Sequence, residues 1–126
     1  MSDLYQEQII EEAKSPQCFG ELVDADLTVE GTNASCGDEL KIQLKFAKPD
    51  DQTSPITDIK WTGQGCVISR AAMSVLASKI KEEKLTLSQL ESFNEANLQK
   101  WLGINDISIG RLKCLLLGLR TLQSKA

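Results

Sequence analysis

Leu40-Lys41-Ile42-Gln43-Leu44-Lys45-Phe46 alternates apolar and polar side chains without a break, the pattern of a β-strand with one buried face. Ile56 to Thr62 predicts a second such strand, with Ile59 and Trp61 on one side. Leu22 to Val29 alternates more weakly and is read as an earlier strand, ended by Gly31-Thr32-Asn33. Lys48-Pro49-Asp50-Asp51-Gln52 is a polar turn or loop. Short links of this kind predict three strands joined as an antiparallel meander.

The flanking segments have helical spacing. Residues 3–14 place Leu4, Tyr5, Gln8, Ile9 and Glu12 on one face, and Ser15-Pro16 stops the helix. After Gly65 the apolar positions Val67, Ile68, Ala71, Ala72, Val75, Leu76 and Ile80 recur at three and four residues. Lys81-Glu82-Glu83-Lys84 reads as a polar link. Thr86 with Gln89, and equally Ser88 with Glu91, match a capping box for a short helix reaching about Phe93. Asn94 is the expected cap of another, carrying Leu98, Trp101 and Leu102 to a stop near Gly103. Ile109, Leu112, Leu116 and Leu119 mark a last helix. The order α-β-β-β-α-α-α-α predicts an α+β fold: a three-stranded antiparallel sheet packed by about five helices, in one domain spanning residues 1–126.

Composition narrows the chemistry. The 126 residues are 41% hydrophobic and 25% charged, ordinary for one globular domain. A net charge of −4 disfavours nucleic-acid binding. The chain has no histidine, which excludes a Ser-His-Asp or Cys-His apparatus and any histidine-ligated metal within it. No apolar run approaches the roughly 20 residues of a membrane helix. The first eight residues lack a basic start and an apolar core, so no signal peptide is expected and a cytoplasmic location is. Cys18, Cys36, Cys66 and Cys114 lie far apart. In a reducing compartment such cysteines are metal-binding, reactive or simply buried.

Each motif has a plain reading beside a chemical one. Cys36-Gly37-Asp38 is an ordinary turn, or a turn at Gly37 aiming a thiol and a carboxylate at one ion. Gly63-Gln64-Gly65-Cys66 falls at a strand-to-helix junction, where helix-terminal N–H groups favour a thiolate; otherwise Cys66 is a small apolar residue under the first turn. Arg111-Leu112-Lys113-Cys114 offers a thiol beside basic residues, or a core cysteine ahead of three leucines. Three thiols and one carboxylate match the ligand count of tetrahedral zinc or an iron–sulfur cluster. Ligands from three distant segments cannot be verified by spacing.

In that order, Cys-Gly-Asp, Gly-x-Gly-Cys and Lys-Cys resemble the IscU/SufU/NifU N-terminal scaffold family, from Tyr5 to about Leu122. Pro16-Gln17-Cys18-Phe19-Gly20 is similar to that family's lead into the first strand. The resemblance implies the SufE/NifU-like, IscU-type fold and one shared site of Cys36, Asp38, Cys66 and Cys114 for zinc or a [2Fe-2S] cluster. It places Gly37, Gly65, Arg111 and Lys113 around that site and leaves Cys18 outside it. It implies an iron–sulfur assembly scaffold that receives persulfide sulfur from a pyridoxal-phosphate-dependent cysteine desulfurase and passes clusters to apo-proteins.

Other outcomes stay open: a SufU-type zinc-dependent sulfurtransferase relaying persulfide sulfur, or a zinc-binding regulator of the desulfurase. IscU-type members carry histidine where this chain has Lys113, whereas the SufU type carries lysine, with arginine two positions earlier as Arg111 is here. The 47 residues between Cys66 and Cys114 match the shorter IscU length. The chaperone-recognition segment Leu-Pro-Pro-Val-Lys is replaced by Ile107-Ser108-Ile109-Gly110-Arg111. Cys36 and Cys114 are the candidate persulfide acceptors, with Cys36 preferred for its place on a turn. Arg70, Arg111 and Lys113 are expected to offset the negative charge of the ligand set. Leu4 and Tyr5 are candidates for a partner surface or a homodimer contact, or for packing on the sheet.

Overall fold

The computed structural model describes residues 3–33, 37–104, 107 and 109–125, the first four of these by backbone alone. Helix α1 (Asp3–Lys14) precedes strands β1 (Leu27–Asn33), β2 (Asp38–Phe46) and β3 (Ile56–Gln64). Helices α2 (Val67–Glu83), α3 (Leu87–Leu90), α4 (Glu95–Leu102) and α5 (Ile109–Gln123) follow. The strands form one antiparallel sheet in the order β1-β2-β3. The α+β fold expected from the pattern is present.

One face of the sheet is the core. Val29, Leu40, Ile42, Leu44, Ile59 and Trp61 are buried on it, and α2 and α5 pack there with Ala72, Leu76, Leu115 and Leu119. Ile56 and Ile59 stand an odd number of residues apart yet are both fully buried. A register shift between Lys45 and Phe46 reconciles them, because Phe46 pairs with Ile56 while Lys45 pairs with Asp58. The added residue turns Ile56 onto the core face. Gly118 brings α5 close to α2, since a β-carbon there would stand 2.5 Å from the Met73 sulfur.

The segment after α1 seals the outer edge of β3. The Trp61 N–H donates to the Cys18 carbonyl (3.0 Å), and the Gly20 N–H donates to the Trp61 carbonyl (2.9 Å). The Trp61 indole N–H donates to the Gln17 carbonyl (2.8 Å). The Gln17 N–H donates to Ser74 Oγ (2.7 Å), and that hydroxyl donates to the Glu12 carboxylate, so α1 and α2 are stitched through one buried serine.

Several boundaries differ from the sequence pattern. The first strand begins at Leu27, not Leu22, and continues through Gly31 to Asn33. Residues 21–26 instead cross the outer face of the sheet, where Gln43 binds both the N–H and the carbonyl of Leu22 (2.9 and 3.3 Å). The lead segment around Cys18 runs beside β3 and does not feed straight into β1. Helix α2 absorbs the expected polar link and ends at Lys84, whose φ of 49° closes it in a left-handed cap. Of the two candidate boxes before α3, Thr86 with Gln89 is the one formed, and the helix stops at Leu90. Asn94 caps α4 as expected, and Gly103 ends it at φ 75°. In α1 the buried positions are Ile9 and Ala13, while Gln8 is exposed; the side chains of Leu4 and Tyr5 lie outside the described residues. No helix of the described residues is long and apolar enough to cross a membrane.

Candidate metal centre

Three elements converge at one end of the sheet. Asp38 is the first residue of β2, Cys66 is the N-cap of α2 just beyond β3, and Cys114 lies in the second turn of α5. The candidate ligand atoms of Asp38, Cys66 and Cys114 all lie within 4.8 Å of one another. Asp38 and Cys114 are buried, at 0% and 3% exposure, and Cys66 is half-buried.

Local structure explains the convergence. Asp38 is held by the Cys66 N–H, which donates to its Oδ1 at 2.9 Å. A carboxylate at a helix N-terminus also meets the positive end of the helix dipole. Cys66 makes no side-chain capping bond, so its sulfur is not spent on the helix backbone. Gly65 makes room: a β-carbon there would overlap the Asp38 carboxylate and stand 2.7 Å from Ser69 Oγ. Ser69 is itself buried and donates to the Cys66 carbonyl (3.1 Å). Gly37 has φ 73°, the left-handed backbone that favours glycine, and its N–H donates to the Asn33 carbonyl (2.9 Å).

The expected residues fare differently. Asp38, Cys66 and Cys114 are brought together. Cys36 lies outside the described residues, two positions before Asp38 in the chain. Lys113 and Arg111 are exposed on the flank of α5 that carries Cys114, and neither is in an ion pair among the described residues. Arg70 is engaged by groups outside the cluster. Its guanidinium donates to the carbonyls of Gly63 (3.1 Å) and Ala13 (3.3 Å) and lies over the rings of Phe19 and Trp61. Cys18 lies apart from the cluster, with its carbonyl on β3 and its thiol pushed up from the ordinary range by burial. Ser69 was missed by sequence reasoning. Its only sequence signal is a hydroxyl one turn after Cys66, where serine is commonplace.

Two thiols and a carboxylate suit a borderline-soft cation. Thiolate ligands select zinc and iron–sulfur centres, and a carboxylate completes a mixed set. Among the described residues, the group is buried at Asp38 and Cys114 and partly exposed at Cys66.

Comparison with known proteins agrees in sequence and in shape. The model of the NifU-like N terminal domain family matches residues 4–124. The iron–sulfur cluster assembly scaffold protein IscU of Thermotoga maritima is 33% identical, across 95% of this chain and 90% of that protein. The zinc-dependent sulfurtransferase SufU of Bacillus subtilis is 25% identical, across 98% and 89%. A crystal structure of an iron–sulfur cluster assembly scaffold protein for the SUF system from Fervidobacterium islandicum superposes with a TM-score of 0.75 at 26% identity, covering 98% of both chains. A NifU-like N-terminal protein from Brucella abortus, 19% identical, shares the fold with a TM-score of 0.73 over 97% of this chain and 91% of that one.

Proposed function

The chain belongs to the NifU-like N-terminal domain family, and from that premise we propose that it is an iron–sulfur cluster assembly scaffold. Cys36, Asp38, Cys66 and Cys114 hold the metal, zinc or iron, and a [2Fe-2S] cluster is the cargo. The observation that carries this reading is the meeting of buried Asp38 and Cys114 with half-buried Cys66 within 4.8 Å. Bound metal would keep the thiols ionised at neutral pH.

Sulfur arrives as the persulfide of a pyridoxal-phosphate-dependent cysteine desulfurase. A thiolate of this chain attacks the terminal sulfur. A new S–S bond forms as the old one breaks, and the desulfurase cysteine leaves as thiolate with no net oxidation. That attack needs an accessible thiolate. Cys114 is buried, which favours Cys36 as first acceptor. Arg111 and Lys113 supply positive charge beside the ligand set, and Asp38, the hardest ligand, is the one that yields during exchange. Apo iron–sulfur proteins are the recipients.

Lys113 favours a second reading, a SufU-type sulfurtransferase in which zinc stays bound and sulfur alone moves on. Anaerobic reconstitution with ferrous iron, cysteine and a cysteine desulfurase separates the two. A cluster spectrum that forms and then transfers to apo-ferredoxin supports the scaffold. No cluster, with retained zinc and faster desulfurase turnover, supports the sulfurtransferase.

A further inference from the structure

Among the described residues, β1 is an edge strand with no fourth strand beside it. Its hydrogen-bonding direction follows from the registers. Both backbone groups of Trp61 are used by Cys18 and Gly20, so they face away from β2. Trp61 is paired with Ile42, and Ile42 with Val29. Backbone groups alternate in direction along a strand, so those of Ile42 face Val29, and Val29 faces back. The N–H and carbonyl groups of Thr28, Glu30 and Thr32 therefore point outward, and none of them has a backbone partner among the described residues. By contrast, the other edge of the sheet is sealed by the segment around Phe19.

A groove of about 360 Å³ runs between this edge and α5. From β1 it is lined by residues 30–33, and from α5 by Lys113, Leu117, Arg120, Thr121 and Ser124. Gly31 lets the helix approach, since a β-carbon there would overlap the Thr121 hydroxyl. Lys113 and Arg120 are exposed, and neither is in an ion pair among the described residues. Two cations thus flank open backbone donors and acceptors in a chain whose net charge is −4. Among the described residues, Glu30 is the one carboxylate lining the groove, and it stands opposite Lys41 on the neighbouring strand.

We propose that this edge and groove accept an extended acidic segment of another protein as a fourth strand. Its backbone pairs with Thr28, Glu30 and Thr32. Every second side chain points toward α5, where carboxylates meet Lys113 and Arg120 and an apolar residue covers Leu117. A second copy of this chain is the poorer occupant: fully overlapped antiparallel β1 strands would set Glu30 against Glu30. The edge ends at Asn33, three residues before Cys36, and Lys113 adjoins Cys114, so a docked segment anchors its protein beside the metal centre. This inference does not depend on which cargo the centre carries.

The test uses the full zinc-loaded chain, the peptide acetyl-Thr-Asp-Thr-Leu-Thr-Asp-Thr-amide, and amide hydrogen exchange followed by NMR. Binding with at least tenfold slower exchange at the amides of Thr28, Glu30 and Thr32 supports the site. So does at least tenfold weaker binding with Arg120→Glu, or with lysines replacing the peptide aspartates. N-methylation of the peptide nitrogens that face β1 should abolish binding. The proposal is overturned by no binding at millimolar peptide to protein shown to be folded, or by binding that N-methylation leaves unchanged. Protection of the three amides that grows with protein concentration and without peptide would assign the edge to a second copy and also overturn it.

Discussion

The backbone N–H of Cys66 donates to the Asp38 carboxylate at 2.9 Å, joining the start of β2 to the start of α2 through two candidate metal ligands. One candidate ligand thus holds the other in place without a metal. A buried carboxylate in this position adds to the fold as well as to the centre.

Asp38→Ala removes a candidate ligand and leaves the Cys66 N–H without this acceptor. Losing a buried hydrogen-bond partner costs about 1–3 kcal/mol, so urea denaturation of the metal-free variant should show a lower midpoint. In reconstituted protein the same change should slow cluster release or metal exchange. Unchanged release kinetics would remove Asp38 from that role.

Gly65→Ala should be more damaging than its size suggests. The new methyl group overlaps the Asp38 carboxylate and crowds Ser69 Oγ at 2.7 Å. Crowding of this kind costs about 1–3 kcal/mol, and relief requires the carboxylate to move from its place beside Cys66. Zinc retention measured against a chelator should fall with stability. Full retention in a folded variant would show that Asp38 is dispensable to the centre.

Sulfur should appear first on Cys36. Mass spectrometry of protein incubated with desulfurase and cysteine, then digested, locates the added sulfur. A label found only on Cys114 would reject the preference for Cys36.

Cys18 should make the protein less stable at high pH. Burial raises its thiol pKa above the ordinary 9.0, outweighing the lowering by Lys81 and Lys60, with Asp58 adding to the rise. The folded state then holds its proton where the unfolded state has released it. Its contribution is therefore complete below about pH 9 and is lost as pH rises through the higher folded value. Urea midpoints from pH 8 to 10.5 should fall less steeply for Cys18→Ala than for the unaltered chain. Equal slopes would dismiss the effect.

Much of this architecture was legible because burial leaves a period. The unbroken alternation of Leu40 to Phe46 becomes β2, and the three-four spacing after Gly65 becomes α2. Thr86 and Asn94 are read as caps because their bonds reach only three and two residues along the chain. The start of β1 was misplaced because Leu22 is held by the side chain of Gln43, a contact 21 residues away. The partners of Arg70 were hidden for the same reason: helical spacing places it one turn after Cys66, but Gly63, Ala13 and two aromatic rings decide where its charge rests.

The linear chain determined the candidate ligand types, the glycines beside them and the elements that carry them, since these follow from side-chain chemistry and local periodicity. Only the tertiary structure decided that Asp38, Cys66 and Cys114 meet within 4.8 Å, that Gly65 is small to admit a carboxylate, and that, among the described residues, one sheet edge is sealed while the other stays open. Those outcomes depend on strand register and on helices packed across the sheet, and contacts between distant segments leave no period in a sequence.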